Sequence, residues 1–354
     1  MIAIAKRARQ VAVVGMVGLG LFAAGCGSSD DSSSGSSGSS TSSSSSDGGS
    51  TPIKLGVFGA LSDAGIYIAQ DKGYFRDAGL DVSLVPTGTA EQVISVLAAG
   101  QVDAAGTAPT PGLFNAIQRG VDLKILTDKG RIGPGYSWVS LVVRRDLFDD
   151  GTITSVDDLK GKKVALPGKG TSTAAEFAEL LRTRGMTLDD VSIQAGNPAD
   201  ALVALTNRAV DAAVLQEPFI TLAKFRDVGH ELSPLGEVVP NGENGVIVAS
   251  EKLVKDPELA DKLRSAYLRG VADYNAAFPR GGGRGTGRPE VVAILARNTP
   301  VREARLYDAM APVLFSDDGS LDTDTIDLFQ QNFIDQGLQE TVVPASDYLY
   351  EAGR

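Results

Sequence analysis

From Ile53 onward, short apolar runs alternate with longer stretches whose apolar residues recur at helical spacing. Ile53-Lys54-Leu55-Gly56-Val57-Phe58 predicts a strand, and 64–71 a helix that Gly73 stops. A second strand is expected over 80–85 and a helix over 90–99, with Gly100 just past its end. A third strand over 102–105 follows, then a helix from Pro111 closed by Gly120, then a fourth strand over 121–126. The alternation restarts with strands over 138–144 and 164–166, a helix over 172–184 and a strand over 191–194. Asn197-Pro198, a capping residue before a first-turn proline, opens a helix to 208, and a strand follows over 210–215. After a strand at 246–249 the pattern turns helical, over 257–278, 289–297, 301–314, 323–335 and 345–352. The Gly- and Arg-rich stretch 279–288 reads as a mobile surface excursion. Strands alternating with helices of this length predict an α/β fold of βαβ units with parallel sheets.

One internal echo refines this picture. Val102-Asp103-Ala104-Ala105 recurs as Val210-Asp211-Ala212-Ala213, each copy after a helix and each running into a turn with proline, at Pro109 and Pro218. Shared letters in shared contexts predict two lobes of similar build. About 300 residues from Pro52 on are also too many for one small core. Sheets of this type bind ligands beyond the carboxyl ends of their strands, so two lobes facing each other across a hinge make a closable cleft.

The N-terminus bears on compartment. Lys6, Arg7 and Arg9 precede an uncharged apolar run from Val11 to Ala24, shorter than the roughly 20 residues that span a bilayer. Small residues follow, ending at Cys26, and the segment resembles a bacterial lipobox with Ala23 where a leucine is usual. Residues 1–25 are therefore expected to be a lipoprotein signal peptide, with the lipid on Cys26. Cys26 is the only cysteine, so the fold carries no internal disulfide. Residues 26–51 are expected to be a disordered tether, since 27–51 hold fifteen serines and nothing that buries apolar surface.

Net charge excludes some partners. Taking the leader's three positive charges from the formal −11 leaves −14. A surface this acidic repels nucleic acid. Catalysis finds little support either, because His230 is the only histidine and Gly229-His230-Glu231 reads as a surface turn. No Cys/His cluster of a zinc site occurs, and no cofactor or metal is expected.

Five stretches, in order, carry a family resemblance. They are Gly73-Tyr74-Phe75-Arg76-Asp77-Ala78-Gly79-Leu80-Asp81-Val82, Ala98-Ala99-Gly100-Gln101-Val102-Asp103-Ala104-Ala105, and Ser155-Val156-Asp157-Asp158-Leu159-Lys160-Gly161-Lys162-Lys163-Val164. Glu217-Pro218-Phe219 and Asp335-Gln336-Gly337-Leu338 complete the set. Together they resemble the binding proteins of ABC importers for sulfonates, taurine, nitrate and thiamine pyrimidines. The resemblance implies a type II periplasmic-binding-protein fold, with lobe one made of 52–138 plus 244–354 and lobe two of 139–243. It implies a monomer, lipid-anchored outside the bacterial cell membrane, that closes on a small organic molecule and docks on a permease with its ATPase. A tethered receptor coupled to a membrane signalling partner would share this sequence pattern. The related pyrimidine-synthesising enzymes carry a cysteine-rich motif and histidines that this chain lacks.

Within that frame the candidate ligand residues fall on strand-to-helix loops. Gly168-Lys169-Gly170-Thr171-Ser172-Thr173 opens a helix and offers free N–H groups, with Gly170, Thr171 and Ser172 favoured. It lacks the order of a nucleotide phosphate loop. Ser62, Asp63, Thr107, Ala108 and Thr110 occupy equivalent loops of lobe one, and Gln216 and Glu217 that of lobe two; short polar groups there either contact ligand or cap helices. Trp138, beside the first crossing, would stack on a flat ligand or pack in the core. Arg131 is a loop arginine that could meet an anion, and Asn244 lies near the second crossing. Gly79, Gly100 and Gly161 read as turn glycines with positive φ.

Overall fold

The computed structural model describes residues 50–280 and 282–352. The expected leader, the lipid site Cys26 and nearly all of the Ser-rich tether lie outside these residues. β1 (Thr51–Val57), β2 (Leu80–Pro86), β3 (Ala104–Thr107) and β4 (Lys124–Ile132) come first, so the last residue assigned to the tether, Thr51, is already in a strand. β5 (Val139–Arg144), β6 (Lys163–Leu166), β7 (Ser192–Ala195), β8 (Ala212–Gln216) and β9 (Gly229–Pro234) follow, and β10 (Gly242–Ala249) closes the set.

The ten strands form two sheets of identical plan: β2-β1-β3-β10-β4 and β7-β6-β8-β5-β9. In each, the fourth place is taken by a strand that has just arrived from the other sheet. That strand enters from the opposite end, so β10 runs antiparallel to β3 and β4, and β5 antiparallel to β8 and β9. The sheets are therefore mixed rather than parallel throughout, which corrects the expectation. The Val-Asp-Ala-Ala echo has a physical counterpart. Asp103 donates its N–H to the Lys54 carbonyl and accepts the Lys54 N–H on its carboxylate at 2.8 Å; Asp211 does the same with Lys163 at 2.9 Å. Each aspartate thus ties the start of its strand to the neighbouring parallel strand.

The chain leaves the first sheet after Ile132, joins the second at Val139, and returns between Pro234 and Gly242. The two crossings touch. A Cβ on Gly236 would lie 2.5 Å from the Gly133 carbonyl oxygen and 2.5 Å from the Ser137 hydroxyl, so only glycine lets them pass this closely. Apolar side chains of both sheets share one continuous core, from Ile53 and Leu55 to Leu141 and Val164. A smaller group around Val142, Ala213 and Leu215 fills the other face of the second sheet.

Six α-helices, starting at 90, 111, 172, 198, 257 and 323, begin at a side-chain cap, and eight start positions (64, 90, 111, 172, 198, 257, 323 and 345) match the pattern reading. Gly79, Gly100 and Gly161 have φ of 77°, 64° and 75°, as expected of them. Three expectations need correction. Residues 301–314 hold only a 3-10 turn, Ala304–Asp308, because Pro312 cannot continue a helix and Leu314 pairs with Arg131 instead. The last helix stops at Tyr348, where Leu349 and Tyr350 join the edge of β4 at Ile125. Gly229-His230-Glu231 lies in edge strand β9, with His230 paired to Val143 and stacked on Phe148 at 3.5 Å between ring centroids. The described residues of the Gly- and Arg-rich stretch lie mostly at the surface, as expected, where Arg284 and Arg288 reach Asp308 and Arg280 reaches Asp317. Among the described residues no helix is long and apolar enough to cross a membrane.

Candidate functional site

The carboxyl ends of the strands in both sheets open on one cavity of about 440 Å³. Phe58, Ala60 and Ser62 reach it after β1, Thr87, Thr89 and Gln92 after β2, and Thr107 and Ala108 after β3. The second sheet contributes Pro167, Thr171 and Thr173 after β6, Asn197 and Pro198 after β7, and Gln216 and Phe219 after β8. Asn244 and Gly245 come from the returning strand β10. This is where strands give way to helices, so helix N-termini crowd the space. Thr89, Thr171 and Asn197 each accept the N–H of the residue three positions on, capping helices Ala90–Ala98, Ser172–Arg182 and Pro198–Thr206. Their aligned backbone dipoles give the cavity a positive bias.

Of the residues expected from the sequence, Ser62, Thr107, Ala108, Thr171, Gln216 and Asn244 line this cavity. The other six do not, and each has a structural occupation. Asp63 is fully buried and accepts the N–H groups of Phe58, Gly59 and Ala60 and the Tyr67 hydroxyl, which shapes the loop after β1. Thr110 caps helix Pro111–Gln118. Trp138 is a core residue, 1 % exposed, whose Nε1 donates to the Arg131 carbonyl at 2.7 Å; it cannot stack on a ligand. Gly170 lies against Pro111, and Ser172 donates to the Asn244 carbonyl oxygen at 2.9 Å. Glu217 turns inward to the Thr221 N–H and hydroxyl, and burial pushes its carboxyl up to about 7. Arg131 is paired with Glu243 at 3.0 Å. Thr171 lines the cavity, but its hydroxyl is spent on the Gly168 carbonyl and its capping bond.

Behind the lining sits a buried polar network. Asn244 Nδ2 donates to both carboxyl oxygens of Glu176, at 2.8 and 3.0 Å, and lies 3.2 Å from the Thr173 hydroxyl. Gln216 Nε2 donates to Asn244 Oδ1 at 3.2 Å. Glu176 is wholly buried, and burial raises its carboxyl to about 8 against the pull of the Asn244 bond. The network joins helix Ser172–Arg182 and β8 to the returning strand β10, and so ties the two halves together beneath the cavity.

Lys129 and Glu176 went unread in the sequence, and Phe58, Thr173 and Phe219 were read only as members of their stretches, not singled out for the ligand. Among the described residues Lys129 is the one charged side chain that lines the cavity, and it is 2 % exposed. Its signal lay in glycines on other strands. A Cβ on Gly106 would stand 2.7 Å from Lys129 Cδ and Cε, so the bare backbone of β3 makes room for the lysine stem. Among the described residues no group of three or more His, Cys, Asp or Glu is placed to hold a metal ion.

A family model described as NMT1/THI5 like matches residues 62–279. The chain belongs to the NMT1/THI5-like family. Among individual family relatives, a putative binding protein of Brucella abortus is 30 % identical over 167 residues, covering 43 % of this chain and 52 % of the relative. The riboflavin-binding protein RibY of Chloroflexus aurantiacus is 25 % identical over 58 % of this chain and 57 % of the relative. The matched part is thus only about half the length of these curated relatives. In structure, the chain is similar to the alkanesulfonate-binding protein SsuA of Xanthomonas axonopodis pv. citri, solved with MOPS bound. The TM-score is 0.68 at 20 % identity, over 85 % of this chain and 99 % of that one. That likeness shows the type II periplasmic-binding-protein fold of this NMT1/THI5-like chain, and its relatives named here are binding proteins.

Proposed function

We propose that this chain is the extracytoplasmic solute-binding component of an ABC importer. The observation that carries the reading is a cavity built by the strand ends of both sheets, whose two chain crossings are in contact with each other. Residues 52–138 with 244–354 form one lobe and 139–243 the other. A solute held by the first lobe recruits the second, and the closed form docks on a permease with its ATPase. Closure follows only from contacts that the solute makes in the closed state. Phe58 and Phe219 line the cavity from opposite sheets and suit a planar or apolar portion, so the solute is a small organic molecule such as a sulfonate, a pyrimidine or an aromatic acid. The mature protein is a monomer held outside the cell membrane by lipid on Cys26, with the segment that ends before β1 as its tether.

A thermal-shift panel of taurine, an alkanesulfonate, nitrate, an aminopyrimidine, riboflavin and aromatic carboxylates tests the reading. A true solute at 100 times its dissociation constant adds about 2.7 kcal/mol, a rise of roughly 4 °C for a chain of this size. A protein that answers none of these organic solutes would not be the importer component described.

A further inference from the structure

Lys129 is a charged side chain that the fold takes trouble to bury. It rises from β4, passes the bare backbone of Gly106, and ends between Ser62 and Asp63. Two of its three N–H groups are accounted for, one to Ser62 Oγ at 2.8 Å and one to Asp63 Oδ1 at 2.9 Å. Asp63 does not depend on the lysine alone, since its other oxygen accepts three backbone N–H groups and the Tyr67 hydroxyl. A buried ion pair that served only the fold could be replaced by apolar side chains of similar volume at little cost. This pair instead opens on the cavity, through Lys129 and Ser62.

Resting on the solute-binding reading, we propose that Lys129 and Ser62 form the acid-recognising end of the cavity. The third N–H of the ammonium and the Ser62 hydroxyl hydrogen, left free because Ser62 accepts from Lys129, both donate to a carboxylate or sulfonate oxygen of the solute. Among the described side chains no carboxylate lines the cavity to oppose such a group. The Phe58 ring, its centroid 5.8 Å from Lys129 Nζ, borders the position where the organic part of the solute begins. Lys129 and Asp63 are neutral as a pair, so the acid group depends on these donors and on the helix N-termini around it rather than on bare charge.

Calorimetric titration with benzoate, benzenesulfonate and the uncharged benzamide decides the matter. The wild-type protein is expected to bind at least one of the two anions about tenfold or more tightly than benzamide, and the preferred anion separates carboxylate from sulfonate recognition. Lys129→Met is expected to bring that ratio close to one while benzamide binding persists. Gly106→Ala keeps the lysine but displaces its stem, and is expected to shrink the ratio as well; it carries the test if the first variant fails to fold. Equal wild-type affinity for benzamide and both anions, or an unchanged ratio in the variants, overturns the assignment and leaves the cavity as a solute site. Binding of none of the three probes by the wild-type protein would overturn both.

Discussion

Glu176→Gln is expected to stabilise the protein by about 3 kcal/mol at pH 9 and to change little at pH 5. The Glu176 carboxyl is wholly buried, and burial raises it to about 8 from an ordinary value of 4.5, with the Asn244 amide its only hydrogen-bond partner among the described residues. Between those two values the folded chain keeps a proton that the unfolded chain has released. The stability tied to this group is therefore full below pH 4.5, falls as pH rises through the window, and is gone above about 8. A shift of this size corresponds to roughly 4–5 kcal/mol. Glutamine recovers less, since it offers Asn244 one acceptor oxygen instead of two. Glu217, raised to about 7 by burial, adds a smaller decline of the same sign that the variant retains. Urea unfolding of both proteins at pH 5, 7 and 9 checks this. Parallel curves of stability against pH would mean that Glu176 ionises freely in the folded chain.

Gly236→Ala is expected to cost about 3 kcal/mol, although it adds only one methyl group. The new Cβ would meet the Gly133 carbonyl at 2.5 Å, the Gly133 nitrogen at 2.7 Å and the Ser137 hydroxyl at 2.5 Å. Two of these three are backbone atoms of the other crossing, so no side chain can swing away to relieve the clash. Overpacking commonly costs 1–3 kcal/mol, and rigid neighbours place this site at the upper end. The crossings would have to separate. A fall of roughly 5 °C in melting temperature, with the secondary structure signal unchanged, is the expected result. A variant that melts within a degree of wild type would show that the crossings do not bear on each other in this way.

What was legible in the sequence was local. Thr171 and Asn197 declare themselves as caps because a cap is satisfied within three residues, and Gly79, Gly100 and Gly161 as turns because positive φ is a property of one residue. The two-part plan was visible in the Val-Asp-Ala-Ala echo, since the same strand-pairing task selects the same residues twice. What escaped depends on distant pairings. The direction of β5 and β10 follows from the crossings, which no periodicity records. β9 is a short edge strand with a half-buried, polar pattern, so it reads as a turn. Trp138 sits beside a crossing, where a ligand platform and a core anchor look alike until its N–H finds the Arg131 carbonyl. Lys129 depends on glycine at position 106, on a different strand, and Glu217 reads equally as a ligand contact or a cap until Thr221, one helical turn on, takes its carboxylate.

The cavity as the solute site is the centre of this account, and filling it is the most direct trial. Ala108 lines the cavity from the loop after β3, and a tryptophan there would occupy much of the space. The thermal-shift panel should be run on wild type and Ala108→Trp side by side. The account predicts at least one compound that raises the wild-type melting temperature by several degrees and leaves the filled variant unmoved. Shifts of equal size in the two proteins would place the binding site elsewhere and contradict it.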